Sequence, residues 1–208
     1  MNMKKFKKNE TIRLLKHCKR TMSGREDIDY SRTAENVNLF RRNLDEESYM
    51  IYRLKDVYVY GGANAKRTVY SCDWVLTAPT EIADDRDKCL RFFEVFTDFC
   101  AERYGKKNVL GSYVHFDEAT PHCHFLFMPI VYDEKKQREK LCVSDVMKKK
   151  ELFSFHEDFQ DYLYAHGMSY RVVNEDKRER LKSWQNRSVE ELKYERARER
   201  ERERSRWE

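Results

Sequence analysis

The sequence predicts an α+β fold in which an antiparallel sheet is covered on one face by helices, and three observations carry that prediction. Two apolar runs, residues 109–114 and 125–131, flank a proline-containing turn, as the arms of a hairpin do. Two stretches, 80–104 and 152–166, repeat apolar residues at helical spacing. The resulting order of strand, helix, hairpin, helix, strand calls for antiparallel pairing with the helices segregated from the sheet.

Taken in order, residues 1–25 hold nine Lys or Arg against one acid, Glu10, a density suited to a phosphate backbone or to a solvated basic arm. Ser31 or Thr33 is placed to cap a short helix running toward Phe40. Residues 49–54 read as a brief strand, and 57–65, with Gly61 and Gly62, as a loop. Residues 69–77 are rich in β-branched and aromatic side chains and close at Pro79, which makes them a central strand.

Ile82, Cys89, Phe93, Phe96, Cys100 and Tyr104 then form one helical stripe, stopped by Gly105. After the hairpin, polar residues 133–140 read as an exposed connection. Leu152, Phe155, Phe159, Leu163 and His166 mark the second helix, Gly167 ends it, and 169–173 offer a closing strand. From about residue 175 the chain is almost wholly charged. Alternating Glu and Arg set like charges four apart and opposite charges three apart, so 175–208 read as a solvated helical extension beyond a domain of residues 1–174.

Composition narrows the function classes. The six cysteines form no CxxC pair and sit in core-like segments, which suits reduced thiols. No apolar run nears the roughly 18 residues of a membrane span, and no signal-peptide core follows the basic start, so the expected location is the cytoplasm. A net charge of +5 does not by itself demonstrate nucleic-acid binding.

The chemistry lies in the hairpin, His115-Phe116-Asp117-Glu118-Ala119-Thr120-Pro121-His122-Cys123-His124. Side chains two apart on a strand share a face, so His122 and His124 point together, and His115 joins them if the two strands match. Three neutral imidazoles make a site for a divalent first-row ion with positions left open for water or substrate. Cys123 faces away between its neighbours and cannot complete a closed structural site. Asp117 shares the parity of His115, and Glu118 is placed to orient a histidine; an ordinary pair of turn carboxylates is the plainer alternative. An open ion can clamp a scissile phosphate, but a nucleophile must come from elsewhere. His17 and Arg20 in the basic segment offer an attacking imidazole and a phosphate-holding guanidinium, with Tyr30, Tyr49, Tyr52, Tyr58 and Tyr60 as competitors.

These residues resemble the Mob/Pre (MobV-type) plasmid mobilisation relaxases of the HUH endonuclease superfamily. His17-Cys18-Lys19-Arg20 is similar to that family's H-x-x-R element, Asn36-Val37-Asn38-Leu39 to its N-x-x-L element, and the histidine hairpin to its H-x-D-E…P-H-x-H motif. The resemblance spans roughly residues 12–170. It implies a site- and strand-specific endonuclease that nicks plasmid DNA at an origin of transfer, single-stranded or hairpin, and keeps the 5′ phosphate covalently.

His17 would then be the nucleophile, with Arg20 and Glu118 supporting it, and His115, His122 and His124 would hold Mn²⁺ or Mg²⁺. Lys16, Lys19, Arg20, Arg32 and Asn36 are the candidate DNA contacts. The chain is shorter than full family members, whose long C-terminal region would carry a homodimer or coupling-protein contact. Cys123 also replaces a bulky aliphatic. Two alternatives from other classes are a non-catalytic DNA-binding replication or recombination regulator, and a metallohydrolase of small phosphoesters.

Overall fold

The computed structural model describes residues 1–62, 65 and 67–172. Its chain order is β1 (Asn2–Phe6), α1 (Lys8–Cys18), a 3₁₀ turn (Tyr30–Glu35), β2 (Val37–Asn38), α2 (Glu46–Arg53), β3 (Ser71–Thr77), α3 (Arg86–Tyr104), β4 (Val109–His115), β5 (His122–Phe127), β6 (Ile130–Asp133), β7 (Arg138–Leu141), α4 (Val143–Val146) and α5 (Lys149–Ala165). Five strands form one antiparallel sheet in the order β1-β3-β5-β4-β2, and β6 and β7 form a separate hairpin. The histidine hairpin thus supplies two of the three inner strands.

Strand parity divides the sheet into two unlike faces. Cys72, Trp74 and Leu76 of β3, Cys123, Phe125 and Phe127 of β5 and Val114 of β4 point into an apolar core built with α3 and α5. There the Trp74 and Phe155 rings stack at 3.8 Å, and the Trp74 indole N–H donates to the Tyr104 hydroxyl at 2.9 Å. Residues of opposite parity, His115, Tyr113, His122, His124 and Asp73, lie on the other face, where α1 and α2 pack around Leu110, Tyr113 and Leu126. The expected α+β sheet with its long helices on one face is present, and α1 and α2 add a helical cover to the second.

The basic N-terminal segment is ordered rather than a solvated arm. Phe6 pairs with Ser71 in β1, and α1 begins where Glu10 accepts the Lys7 backbone N–H at 2.8 Å. Thr11, Leu15 and Cys18, at helical spacing, face the sheet, and the Thr11 hydroxyl hydrogen-bonds to Ser71 at 2.8 Å. Basic residues here are simply the outer face of an amphipathic helix.

Elsewhere the expected elements stand with corrections. Residues 49–54 are helical, not a strand, because Asp45 caps the start by accepting the Ser48 N–H and Met50 is buried. The cap of the 3₁₀ turn is Asp29 rather than Ser31 or Thr33. The helix expected from residue 80 begins at Arg86, where the Asp85 side chain accepts the Lys88 N–H. Residues 133–140 are not a mere connection: β6 and β7 pair through them, Gln137 turns at φ 48°, and Glu139 bridges Arg53 (2.7 Å) and Lys107 (2.6 Å). Charged side chains hid that strand from a hydrophobic pattern.

Gly167, φ 73°, ends α5 as expected, with Met168 N–H bonding to the Leu163 carbonyl and Gly167 N–H to that of Tyr164. Described residues 169–172 form no strand; the Gln160 amide binds the Tyr170 carbonyl and the Val172 N–H instead of a neighbouring strand doing so. Residue 173, the domain limit at 174 and the charged helix of 175–208 lie outside the described residues.

Candidate metal and nucleic-acid site

Cross-strand register brings the three hairpin histidines together. His115 lies directly opposite His122, and His124 is opposite Tyr113 on the same face. Their rings sit 5.1–5.2 Å apart, centre to centre. Each ring has one nitrogen committed outward: His115 Nε2–H donates to the Cys18 carbonyl (3.1 Å), His122 Nδ1–H to the Thr120 carbonyl (3.0 Å) and His124 Nδ1–H to Asp73 Oδ2 (2.8 Å). A carbonyl or carboxylate can only accept, so the proton of each neutral ring is fixed there, and His115 Nδ1, His122 Nε2 and His124 Nε2 keep their lone pairs.

His115 Nδ1 and His122 Nε2 are 3.3 Å apart with no proton to share. Two nitrogens about 2.1 Å from one ion, about 105° apart, would be separated by ~3.3 Å. Among the described residues two overlapping sets, His115–Glu118–His122 and His17–His115–His124, bring their ligand atoms within 4.8 Å of one another, and these donors fit a divalent cation. Burial, then the charge of Arg20 and that of His124, lowers His115 to about 2; burial also lowers His122. Neutral rings are what coordination needs.

Asp73 was not singled out from the sequence as a site residue. Its signal was a carboxylate at the middle of the apolar strand β3, where burial demands a partner. Holding the His124 tautomer is its evident work. Asp73→Asn is expected to weaken divalent-metal affinity by about 10–100-fold, measured by Mn²⁺ titration with electron paramagnetic resonance. Affinity equal to that of the unaltered chain would disprove this role.

α1 brings a fourth imidazole. His17 packs edge-on to His115 and His124 at 5.5 and 5.6 Å between ring centres. Burial, then Arg20, then His124 lowers it to about 4, so it too is neutral near pH 7. Glu118 completes the floor, with Oε1 3.9 Å from both His17 Nε2 and His115 Nδ1, and Oε2 3.8 Å from His122 Nε2. None of the five competing tyrosines hydrogen-bonds to or stacks on these rings; the Tyr49 hydroxyl, for example, is taken by the Lys107 carbonyl at 2.7 Å.

Two sequence expectations change here. Arg20 does not project toward a phosphate: its side chain is 2% exposed, and its donors go to Asp117, Glu118, and the carbonyl and ring of His17. Asn36 is also turned inward, accepting the Phe116 N–H at 2.8 Å and donating to Asp117 at 2.7 Å. Both residues organise the site from behind. Asp117, whose parity suggested it would face the histidines, faces Arg20 instead, because the strand ends at His115 and the pleat no longer applies. Lys16 is exposed on α1 and Lys19 just past its end, Lys19 pairing with Glu46, and Arg32 is exposed and pairs with Glu35 at 3.0 Å.

The neutral buried rings also carry a stability cost at low pH. Between the ordinary value of 6.5 and the lowered values of His17 and His115, the unfolded chain takes up protons that the folded, metal-free chain does not. Stability therefore falls as pH drops below 6.5, by about 3 kcal/mol for the two rings at about pH 5.5. Urea midpoints with chelator at about pH 7.5 and 5.5 test it; equal midpoints would contradict it.

An antiparallel sheet carrying an H-x-D-E…P-H-x-H hairpin, with an H-x-x-R set at the end of α1 over it, defines the class of the MobV-type relaxases. The chain belongs to the plasmid recombination enzyme family (Mob_Pre), whose model matches residues 1–188. It is 32% identical over 163 residues to a plasmid recombination enzyme of Bacillus thuringiensis, covering 76% of this chain and 35% of the relative. It is 29% identical over 189 residues to a type 3 plasmid recombination enzyme of Staphylococcus aureus, covering 86% and 45%. The chain thus spans about a third to a half of the length of these relatives. Among solved structures it resembles the MobM relaxase domain bound to plasmid pMV158 oriT DNA in a Mn-bound crystal form, with TM-score 0.69 and 26% identity over 83% of this chain and 88% of that one. No helix among the described residues is long and apolar enough to cross a membrane.

Proposed function

We propose that this chain is a metal-dependent relaxase that nicks one strand of plasmid DNA at an origin of transfer and holds the 5′ phosphate on His17 until the strand is rejoined or transferred. The observation that carries the reading is the fourth imidazole: a neutral His17 packed edge-on against His115 and His124, whose rings adjoin that of His122. The Mn-bound, oriT-bound relative supports both the DNA substrate and Mn²⁺, or its hard analogue Mg²⁺, as the ion. His115, His122 and His124 would hold that ion, with Glu118 near enough to assist. When bound, it supplies Lewis-acid polarisation of the scissile phosphate and neutralises charge developing there.

The chain's own residues do the rest. A ring nitrogen of His17 gives its lone pair to phosphorus, forming an N–P bond as the P–O3′ bond breaks, and the departing 3′ oxygen takes up a proton. The ring must enter this step neutral, which burial and the Arg20 charge ensure. Its remaining N–H proton is released as the phosphoramidate forms, and Glu118 Oε1, 3.9 Å from His17 Nε2, is the base placed to take it. Exposed Lys16, Lys19 and Arg32 border the DNA path and contribute non-specific phosphate attraction.

Mass spectrometry of the peptide–oligonucleotide adduct formed with Mn²⁺ and single-stranded origin DNA tests the reading. The phosphate should map to His17. A tyrosine adduct would overturn the assignment of the nucleophile, and tight DNA binding without any adduct, unchanged by chelator, would instead indicate a binding regulator.

A further inference from the structure

All three sequence elements of the site meet at one carboxylate that touches neither the imidazole cluster nor the surface. Asp117 is fully buried. Its Oδ1 accepts Arg20 Nη2–H at 2.6 Å; its Oδ2 accepts Arg20 Nε–H at 2.8 Å, the Thr33 hydroxyl at 3.1 Å and Asn36 Nδ2–H at 2.7 Å. Its backbone carbonyl accepts the Asp29 N–H at 2.8 Å. One side chain therefore ties the end of α1, the 3₁₀ turn and the start of β2 to the end of β4.

Arg20 is the arm through which this anchor acts. The fork of its guanidinium is gripped by Asp117 on two nitrogens, which leaves Nη2 to reach Glu118 (2.7 Å) and Nη1 to reach the His17 carbonyl (3.1 Å) and ring (3.1 Å to Nδ1). Arg20 also adopts φ 54°, a left-handed conformation that a non-glycine residue takes only when its surroundings hold it there. A backbone turned this way folds the guanidinium back under His17. Among the described residues Asp117 alone grips two nitrogens of that guanidinium; Glu118 and His17 each hold one.

We propose that Asp117 is a positioning residue for the nicking step: it sets Arg20, and through Arg20 it places the His17 ring and the Glu118 carboxylate over the metal-binding imidazoles. It does not ligate the ion, since its oxygens are filled from the opposite side by Arg20, Thr33 and Asn36. The reacting geometry is sensitive to this arrangement, because displacing a nucleophile by about 1 Å can cost about 100-fold in rate. This inference rests on the reading of His17 as nucleophile for its kinetic arm, and its structural arm is independent of that reading.

The test compares the full chain with Asp117→Asn, Arg20→Lys and the double variant. Single-turnover cleavage of single-stranded origin DNA with Mn²⁺ should slow about 100-fold in Asp117→Asn, while Mn²⁺ and oligonucleotide dissociation constants stay near those of the unaltered chain. The double variant should cleave no more slowly than Arg20→Lys alone, because both changes break the same chain of contacts. In parallel, NMR of histidine-labelled metal-free protein should show nuclear Overhauser contacts from the His17 ring to the His115 and His124 rings, lost in Asp117→Asn. Unchanged cleavage, a loss of Mn²⁺ affinity in step with rate, additive rate losses, or His17 contacts that persist would each overturn the proposal. If the unaltered chain forms no adduct, the nicking reading fails, and the NMR arm alone decides whether Asp117 positions His17.

Discussion

Replacing His17 with alanine is expected to eliminate the covalent DNA adduct and to slow strand cleavage by at least about 10³-fold, while Mn²⁺ still binds. The separation follows from where His17 sits. It contributes no outward hydrogen bond that fixes a hairpin histidine: those are made by the Cys18 carbonyl, the Thr120 carbonyl and Asp73. Alanine keeps α1 helical, so the Cys18 carbonyl remains in place to hold His115. Arg20 loses a ring contact but keeps the His17 carbonyl, Asp117 and Glu118. Denaturing gels of labelled origin DNA report the adduct, and paramagnetic resonance reports the bound Mn²⁺. An adduct of undiminished yield in the alanine variant would remove His17 from the chemistry.

His122→Ala is the second large effect, and it acts on the ion. Deleting one of three imidazoles is expected to lower Mn²⁺ affinity by more than about 100-fold, since even outer partners of metal ligands cost 10–100-fold. Cleavage should then vanish at low micromolar metal. His122 is the informative imidazole to remove, because among the described residues its outward nitrogen is held by the nearby Thr120 carbonyl, two residues away on the same turn. His115, by contrast, is completely buried and also holds the end of α1, so alanine there would mix lost metal with lost packing. Isothermal titration with Mn²⁺ checks the prediction, and retention of full affinity would show that the ion, if bound, sits elsewhere.

Much of this architecture was legible in local sequence because its causes are local. The stripe from Cys89 to Tyr104 and the stop at Gly105 announced α3, and Gly167 announced the end of α5. Parity along β5 placed His122 and His124 on one face and Cys123 on the other, as the structure has them. Where polar groups did the work, local reading misled. The strand β7 is made of Arg138, Glu139, Lys140 and Leu141, with no apolar alternation to reveal it. Residues 49–54 carry strand-like side chains, yet the Asp45 cap and the burial of Met50 make them a helix.

The sequence by itself determined that His122 and His124 would share one side of a strand, because side-chain direction in a strand depends only on the count of residues; the cross-strand register that sets His115 opposite His122 came from the structure. The sequence also contained every residue of the site. Only the tertiary structure decided which element covers that face. α1 arrives there through the pairing of β1 with β3, an antiparallel edge pairing across some seventy residues of chain that no periodicity encodes. The same packing turned Arg20 and Asn36 inward to a shared buried carboxylate. The basic segment had pointed Arg20, and the family resemblance Asn36, outward to DNA; inside, both satisfy the hydrogen-bonding oxygens of the buried Asp117 carboxylate.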